Sequence, residues 1–508
     1  MSTVMLGGVI TAADVDAIAN GANVTLDPAA LERVAANNLL FHSIIDSGAR
    51  VYGVTTGYGA LVSKEIGEAE QSRMQLNLLR SHACGSDDPL APEVVRAAIA
   101  IRCHSLLQAH SGVRPELIER VAALLNSGWV PVVPSSGSLG ASGDLAPSAH
   151  AFLVLVGEGR CLDPEGNEHS GAEALAALGV EALELEAKEA LALINGTHFM
   201  AAIGALCSVR ATRLLAVADL AAAVTIDALR GATPAFDARV HELRPVPGQI
   251  LSAAHIRAAL AESSRTADGT GERLQDAYSL RCAAQVHGSA REAASFFGRL
   301  VEVDLNAVTD NPLVFDDPPG VISAGNFHGQ SLALAFDTLR IGLADLGAIS
   351  ERRIFRLVSP STNGDLPAFL SPNPGQSSGY MILQYACAAM VSELRALATP
   401  VSIDNIPTSD NQEDHVSLGM TGAVMSLDAL SRVERILAYE LICGCQAIDL
   451  DPGRPGNLVE AAHGAVRERI SMLTDDRPPA DDLAAVLSLV AGDALATLVT
   501  DPADGATK

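Results

Sequence analysis

The sequence predicts a mainly α-helical protein, with a bundle of long helices and a smaller mixed N-terminal region. Hydrophobic residues make up 48% of the 508 residues but aromatic residues only 4%, so the core is built mostly from Ala, Leu, Val and Ile. Ala and Leu are strong helix formers. Apolar residues also recur with helical spacing through the later two thirds of the chain, while glycine-rich turns occur in the first third.

We expect two regions, residues 1–200 and residues 201–508. The first mixes helical patterns with glycine-rich turns at Gly53–Gly59, Gly137–Gly143 and Gly157–Gly166. Such turns are where functional side chains usually lie. The N-terminal region is therefore predicted to carry the active-site loops, and the second region to form the long-helix bundle and a C-terminal helical part.

Three long helices are predicted in the second region. A stripe of apolar residues spaced by three or four positions marks the first of them: Leu332, Phe336, Leu339, Leu343 and Leu346. The same spacing recurs from Leu383 to Leu397, and a third helix is predicted from Gly422 to Cys445. Prolines between residues 360 and 400 separate the helices. Stripes of this kind are usually core, and we assign them no catalytic role.

The charge and the cysteines exclude several kinds of protein. A net charge of -26 argues against nucleic-acid binding, which needs clustered Lys and Arg. The eight cysteines are scattered without a CxxC pair, so neither a disulfide framework nor a metal site is expected. Near Met1 no basic segment precedes an apolar core, and the apolar stretch Leu214–Leu229 is interrupted by Asp219 and Asp227. We expect a soluble cytoplasmic enzyme without membrane contact.

The segment Gly137–Pro147 is the most informative in the chain. Its three glycines in seven residues allow backbone shapes that other residues resist, and the nitrogen of Gly143 has no obstructing side chain beside it. That nitrogen can attack the carbonyl carbon of Ala141. Loss of water, including the Ser142 hydroxyl, then leaves an exocyclic alkene on an imidazolone ring, an electrophile made without a bound cofactor. For an isolated tripeptide, a loop capped by Asp144 would be the simpler interpretation.

The longer string resembles the signature of the histidine and phenylalanine ammonia-lyase family, whose members form a methylidene-imidazolone group at this Ala-Ser-Gly. The resemblance implies that Ala141, Ser142 and Gly143 form this group, with no external cofactor. Six further segments match the family in order: Val51–Gly59, Leu193–Thr197, Gln275–Cys282, Asp310–Pro312, Gly325–His328 and Asn411–Ser417. Chance is a poor explanation for so many ordered matches.

The resemblance also implies a role for individual residues. Tyr52 is the catalytic base, and Tyr278 has a proton-handling role. Asn195 contacts the prosthetic group and the substrate amine, and Arg281 binds the substrate carboxylate. The other residues placed at the substrate are Gln275, Asn311 and Phe327.

Elimination of ammonia from an α-amino acid requires groups with these roles. The amine is a poor leaving group and the β-proton is weakly acidic, so the reaction needs an electrophile and a base. Tyr52 can serve as the base if nearby positive charge or hydrogen bonding lowers the pKa of its phenol. The planar fork of Arg281 suits a bidentate contact with a carboxylate.

Two segments indicate which amino acid is the substrate. The pair Ser81 and His82 is similar to the Ser-His of histidine-specific members, and the Gln-Glu-Asp-His that contains Glu413 is similar to their second signature. Taken alone, His82 is a hydrogen-bonded core histidine and Glu413 an acidic residue at a helix N-terminus. Together they favour an imidazole, because a phenyl ring would leave both polar groups unpaired. The resemblance therefore implies conversion of L-histidine to trans-urocanate and ammonia.

Other functions stay open at this point. An aromatic amino acid (Tyr or Phe) ammonia-lyase or a 2,3-aminomutase would use the same prosthetic group. A catalytically inactive helical scaffold is the alternative of another class. A fumarase-type lyase matches the bundle alone, and fold analogy does not establish function; its Gly-Ser-Ser loop followed by Met-Pro and Lys is not found. The resemblance further implies a homotetramer with shared active sites, in which Tyr278 and Arg281 act on a neighbour's prosthetic group.

Overall fold

The structure is a computed structural model that describes residues 3–269 and 274–499, without the side chains of residues 68 and 69. In these residues it contains nineteen α-helices and nine short strands. The mainly α-helical fold predicted from the sequence is confirmed.

The helices of the described residues vary from one turn to about nine turns in length. In chain order they are α1 (Ala12–Ala19), α2 (Pro28–Asp46), α3 (Glu68–His82), α4 (Pro92–Leu106), α5 (Pro115–Asn126), α6 (Leu145–Phe152), α7 (Gly171–Leu178), α8 (Glu189–Ile194), α9 (His198–Ala228), α10 (Ala238–Glu242), α11 (Pro247–Ala259), α12 (Tyr278–Arg281), α13 (Ala283–Leu305), α14 (Gln330–Val358), α15 (Met381–Leu397), α16 (Gly419–Leu450), α17 (Asn457–Arg467), α18 (Pro479–Ala491) and α19 (Asp493–Ala496).

The strands are short and form four small sheets. They are β1 (Thr3–Leu6), β2 (Asn23–Leu26), β3 (Ser86–Pro89), β4 (Val130–Pro131), β5 (Pro134–Ser136), β6 (Arg160–Leu162), β7 (Glu168–Ser170), β8 (Leu313–Asp316) and β9 (Pro319–Ile322). β1 and β2 pair in parallel, whereas β3 with β5, β4 with β6, β6 with β7, and β8 with β9 pair antiparallel. Short 3₁₀ helices lie at Gly59–Leu61, Leu153–Val156, Thr233–Phe236, Ala368–Leu370 and Ser409–Asn411.

The chain divides into two compact units. Unit 1 comprises Met1–Val209, Phe297–Asp337 and Pro400–Val424. Unit 2 comprises Arg210–Phe296, Thr338–Thr399 and Met425–Lys508. The division into residues 1–200 and 201–508 stays a prediction.

Unit 1 brings the end of one helix next to the most informative loop. Helix α3 ends at His82, and β3 begins four residues later. β3 pairs with β5, with Ser86 opposite Ser136 and Pro89 opposite Pro134. β5 leads directly into the turn that contains Ser142. The β3–β5 pair therefore holds the end of α3 close to that turn.

The three long helices predicted from apolar stripes are confirmed as α14, α15 and α16. Their stripes are largely buried, as the following residues of α14 and α15 show: Leu332, Phe336, Leu339, Leu343, Leu346, Leu383, Cys387 and Leu394. Burial of such a stripe removes apolar side chains from water and is the main stabilisation that a long helix receives.

Among the described residues, only helix α9 is long and apolar enough to cross a membrane by length and composition. In its most apolar window, 67% is buried inside the protein, as is typical of a core helix.

Candidate active site

The Ala-Ser-Gly segment lies in a tight turn between β5 and α6. Gly140 and Gly143 have φ angles of 80° and 87°, and Ser142 has a φ of 54°. A residue with a side chain rarely adopts this left-handed region, so the backbone at Ser142 is strained. The N–H of Gly143 donates to the carbonyl of Gly140 at 3.3 Å and closes the turn. The segment is thus compressed where the predicted cyclisation would join residues 141 and 143.

Asn195 and Gly196 hold this turn from the segment that follows α8. The side-chain Nδ2 of Asn195 and the backbone N–H of Gly196 both donate to the carbonyl of Ser142, at 3.2 and 3.3 Å. A Cβ placed on Gly143 would lie 2.2 Å from the carbonyl oxygen of Gly196. Only glycine fits at position 143, because the two backbones approach so closely.

Ser142 faces a cavity of about 830 Å³ in unit 1. The cavity is lined by Tyr52, Tyr58, Gly59, Leu61, Ile66, Glu70, Arg73, Met74, Asn77, Leu78, Ser81, His82, Ser142, Leu145, Leu191, Ile194, Asn195, Ser409 and Glu413. Six of the residues predicted from the sequence are therefore brought together: Tyr52, Ser81, His82, Ser142, Asn195 and Glu413.

Tyr52 presents its hydroxyl within a glycine-rich loop. The N–H of Gly59 donates to the phenol oxygen at 2.9 Å, and the ring lies edge-on to that of Tyr58, with centroids 6.4 Å apart. Burial raises the pKa of Tyr52; the Gly59 hydrogen bond lowers it, and the charge of Glu413 raises it further. The pKa therefore lies above its ordinary value, opposite to the direction expected from the sequence, because desolvation outweighs the single hydrogen bond.

His82 is the last residue of α3. Its Nδ1 lies 2.9 Å from the carbonyl of Leu78, which can only accept, and 3.0 Å from the hydroxyl of Ser81. In the neutral imidazole that carries its proton on Nδ1, Nε2 is an acceptor. Burial lowers the pKa of His82, although Glu413 raises it in part.

A strained loop holds Glu413 at the cavity. The backbones of Thr408 and Glu413 exchange hydrogen bonds at 3.0 and 3.3 Å, and the Thr408 hydroxyl donates to Glu413 Oε2 at 3.0 Å. Between them Ser409, Asp410 and Asn411 all have φ angles from 50° to 64°. Three successive left-handed residues cost free energy, which the surrounding contacts must offset. The hydrogen bond leaves the other carboxylate oxygen, Oε1, available for a ligand.

Other predicted residues lie away from this cavity. Asn311 is buried, and its Oδ1 accepts from the N–H of Ala324 at 2.7 Å; Phe327 is half-buried. Gln275, Tyr278 and Arg281 belong to unit 2, and none of them lines the cavity. The Arg281 guanidinium lies 4.5 Å from the centre of the Tyr278 ring, and Tyr278 is 70% exposed.

Sequence reasoning missed the cavity-facing side of α3. Glu70, Arg73 and Asn77 lie three or four residues apart, which places them on one face of the helix. The spacing was visible in the sequence, but polar residues at this spacing usually form a solvated face. Only the packing of α3 shows that they line a cavity.

A buried charged cluster also lies in unit 1, and the sequence did not single it out. Lys188 and Arg102, both fully buried, pair with the carboxylate of Asp310, and the Arg102 Nη2 lies 3.8 Å from Asp310 Oδ1. Burial lowers the pKa of Lys188, and Asp310 raises it in part. Among residues 3–269 and 274–499, no group of three or more His, Cys, Asp or Glu side chains is placed to hold a metal ion.

Comparisons with known proteins identify the family of this chain. Residues 10–468 match the family model described as aromatic amino acid lyase. The chain is 48% identical over 493 residues to a histidine ammonia-lyase of Symbiobacterium thermophilum, covering 96% of this chain and 97% of that protein. It is 45% identical over 502 residues to one of Anaeromyxobacter sp., covering 96% and 99%.

Solved structures give the same result. The crystal structure of histidine ammonia-lyase from Trypanosoma cruzi superposes with a TM-score of 0.91 at 38% identity, over 98% of this chain and 95% of that one. Tyrosine aminomutase from Streptomyces globisporus superposes with a TM-score of 0.93 at 34% identity, over 98% of each chain. Because the family model spans most of the chain and the relatives match nearly end to end, this protein belongs to the aromatic amino acid lyase family.

Proposed function

We propose that this protein is a carbon–nitrogen lyase, a histidine ammonia-lyase that converts L-histidine to trans-urocanate and ammonia. One observation carries the proposal: Ser142, Tyr52, His82 and Glu413 line the same cavity. An electrophile-forming residue, a base and two polar groups suited to an imidazole are thus within reach of one substrate. The names of the curated relatives support the same activity.

The residues around the turn fit the methylidene-imidazolone group that the family implies. Ser142 has the left-handed φ of a compressed turn, and Gly143 stands where a side chain would meet Gly196. The Oδ1 of Asn195 is buried without a hydrogen-bond partner, so it can accept a hydrogen bond from the group or from an amine beside it. Ala141, Ser142 and Gly143 would supply all the atoms of the group, and no external cofactor is required.

When formed, the prosthetic group supplies an electrophile that activates the amino acid for loss of its amine. Tyr52 then takes the β-proton through its phenol oxygen. The electrons of the β-C–H bond form the new double bond, the C–N bond breaks, and the amine leaves as ammonia. Asn195 holds the amine next to Ser142. Tyr52 acts in its phenolate form, and its raised pKa keeps that form scarce at neutral pH.

The two polar residues at the cavity select the ring of the substrate. His82 offers Nε2 as an acceptor when its Nδ1–H donates to Leu78. Glu413 offers the carboxylate oxygen that Thr408 does not occupy. A protonated imidazole has two N–H donors and satisfies both acceptors. A phenyl ring satisfies neither, so its binding would take both acceptors out of water without a partner, at a cost of about 1–3 kcal/mol each.

The proposal includes a homotetramer with shared active sites. Tyr278 and Arg281 belong to unit 2 and are not among the residues that line the cavity of unit 1, and they would act on a neighbouring subunit. Helix α15 exposes Ile382 and Tyr385 to 58% and 60%, and exposed apolar residues on one helix favour a subunit interface. The acidic charge and buried helix α9 are consistent with a cytoplasmic enzyme that binds neither nucleic acid nor membrane.

A second candidate function has its own support. The likeness to tyrosine aminomutase, with a TM-score of 0.93, favours an aromatic amino acid lyase or a 2,3-aminomutase that uses the same turn. The two candidates differ in product: an aminomutase returns ammonia to the adjacent carbon and gives a β-amino acid.

One experiment separates these functions. The purified protein is incubated separately with L-histidine, L-tyrosine and L-phenylalanine, and the products are identified by mass spectrometry beside a Ser142→Ala control. Urocanate that is absent from the control is the expected result. Cinnamate, coumarate or a β-amino acid would replace the histidine assignment. No product, together with an unmodified mass for the peptide that contains Ser142, would leave a catalytically inactive scaffold.

A further inference from the structure

Gln75 is a fully buried glutamine in the middle of α3, and its amide makes four hydrogen bonds. Its Nε2 donates to the carbonyl of Gly53 at 3.3 Å and to the hydroxyl of Tyr58 at 3.0 Å. Its Oε1 accepts from the N–H groups of Ala190 and Leu191, at 3.0 and 3.3 Å. The side chain thus uses both of its donors and both lone pairs of its acceptor.

The Oε1 of Gln75 caps the N-terminus of helix α8. The residue before α8, Lys188, has a φ of 70° and makes no side-chain hydrogen bond to the first turn. The first N–H groups of a helix have no partner within it, so they need an acceptor from elsewhere. Gln75 provides that acceptor for Ala190 and Leu191. Helix α8 ends at Ile194, and the Nδ2 of the next residue, Asn195, donates to the carbonyl of Ser142.

The Nε2 of Gln75 holds the loop that carries Tyr52. Gly53 directly follows Tyr52, and its carbonyl is one of the two acceptors of Gln75. Tyr58, the second acceptor, packs its ring edge-on against that of Tyr52. A shift of Gln75 would therefore move the backbone on one side of the Tyr52 phenol and the ring that packs against it.

We propose that Gln75 is a positioning residue that sets the separation between the base Tyr52 and the turn at Ser142. One side chain connects the Tyr52 loop to the helix that Asn195 directly follows, so the two halves of the site cannot move independently. The inference rests on the proposed function, because the separation matters only if Tyr52 removes a proton from a substrate held beside Ser142. Gln75 itself does not line the cavity and has no direct part in the reaction.

The chemistry of the four contacts explains why glutamine is needed. A glutamate would still accept from Ala190 and Leu191, so α8 would stay capped. As a carboxylate it could not donate to the carbonyl of Gly53, and an oxygen would then face that carbonyl oxygen, while the hydroxyl of Tyr58 could turn and donate to it. Gln75→Glu thus breaks the contact with Gly53 and spares the helix side.

The decisive comparison is between Gln75→Glu and Gln446→Glu. Gln446 is equally buried in unit 2, donates to the carbonyls of Leu370 and Leu473, and accepts from the N–H of Leu473, at 2.9–3.2 Å. Both substitutions therefore place a carboxylate where a buried amide made hydrogen bonds. Urocanate formation is measured per folded protein, and the mass of the Ser142 peptide gives the fraction cyclised.

We expect kcat of Gln75→Glu to fall on the order of 10²-fold, as a displacement of about 1 Å can cause, with a much smaller change in KM. The fraction cyclised stays as in the wild type, and Gln446→Glu keeps its kcat. An unchanged kcat in folded Gln75→Glu, or an equal fall in both variants, would overturn the proposal.

Hydrogen exchange in the wild-type enzyme tests the inference without a variant. The amides of Ala190 and Leu191 are expected to exchange slowly, because each is bonded to a buried acceptor. Fast exchange there would overturn the role of Gln75, whether or not Gln75→Glu folds. If the wild type makes no urocanate, the proposed function fails on its own, and the exchange rates still test whether Ala190 and Leu191 are capped.

Discussion

Unit 1 arranges polar side chains around an open cavity, whereas unit 2 pairs its buried charges with one another. In unit 1, Glu413 has one hydrogen-bonded oxygen and His82 one hydrogen-bonded nitrogen, and both line the cavity. The unpaired atoms are what a substrate could use. The residues with strained φ angles, Ser142 and those of the loop before Glu413, also lie at this cavity.

Unit 2 shows the opposite arrangement. Asp219 accepts from His287 at 2.7 Å, from His255 at 2.9 Å and from Arg291 at 2.5 Å. Burial alone would raise the pKa of the Asp219 carboxyl, but these three partners hold it well below its ordinary value. The carboxylate of Glu440 likewise accepts hydrogen bonds from three residues of other helices, Thr225, Ser350 and Arg353. Buried charges that are fully paired hold helices together, and they leave nothing for a ligand to bind.

This contrast provides a criterion for assigning a role to a buried polar residue. A carboxylate with every oxygen occupied by partners from other helices is structural. A carboxylate or imidazole with a free atom that faces a cavity is a candidate for binding or catalysis. Substitutions of the two kinds of residue should therefore affect different properties: activity for the cavity residues of unit 1, and stability for the buried pairs of unit 2.

The largest effect is expected from Ser142→Ala in unit 1. Without its hydroxyl the turn cannot form the alkene, so the rate of urocanate formation should fall on the order of 10³-fold or more. The melting temperature should stay nearly unchanged, because alanine keeps the same φ. Ser136→Ala, an exposed serine in the strand before the turn, is the control. Full activity in Ser142→Ala would contradict the assignment of the prosthetic group.

In unit 2 we expect Glu440→Gln to destabilise the protein by about 3 kcal/mol, since it leaves the buried Arg353 uncompensated. Glu440 also accepts from Thr225 and Ser350, at 2.8 and 2.6 Å, and Arg353 Nη2 donates to it at 2.9 Å. Denaturant unfolding measures the loss, and kcat per folded protein should not change.

The control for Glu440→Gln is Asp493→Asn, which breaks an ion pair with Arg213 at 2.7 Å. The Asp493 side chain is 75% exposed, so its loss should cost under about 1 kcal/mol. Equal losses of stability in the two variants would remove the distinction between buried and exposed pairs.

A smaller effect is expected from Thr408→Val in unit 1. The substitution keeps the shape of the side chain and removes the hydrogen bond to Glu413. One such bond contributes about 1 kcal/mol, so kcat/KM for histidine should fall roughly fivefold. Thr362→Val, which removes bonds to two backbone carbonyls of unit 2, should leave kcat/KM as it is. An unchanged kcat/KM in Thr408→Val would mean that this bond does not orient Glu413.

The smallest effect is a shift in pH dependence. Activity that needs the Tyr52 phenolate should rise with pH, because the pKa of Tyr52 lies above its ordinary value of 10.0. The charge of Glu413 contributes to that rise in pKa. Removing the charge in Glu413→Gln lowers the pKa, so the rising limb of kcat/KM should move to lower pH by less than about one unit. A move to higher pH would contradict the placement of Tyr52 beside Glu413.

Much of the candidate site could be predicted from local sequence. Ser142, Asn195, Tyr52, His82 and Glu413 each stand in a short motif, and all five line one cavity. The long helices α14, α15 and α16 could also be predicted, because a helix of that length must show its apolar stripe in the sequence.

Gln75 illustrates what local sequence could not supply. It lies in α3 between residues that face the cavity, and a lone glutamine in a helix is usually a solvated residue. Its four partners come from residues 53, 58, 190 and 191. The pairing of Lys188 with Asp310 is equally remote in sequence. No periodicity or motif encodes contacts of this range.

The helical class of this protein, its long helices and the residues equipped for the chemistry follow from composition, periodicity and motifs, which are local properties of the sequence. The electrostatics and the support of the site depend on how distant segments pack together. The pKa of Tyr52 rises because the surrounding chain removes water from the phenol, and that burial depends on residues far apart in sequence. The same is true of Gln75, which acquires its role only when α3 packs between the Tyr52 loop and α8.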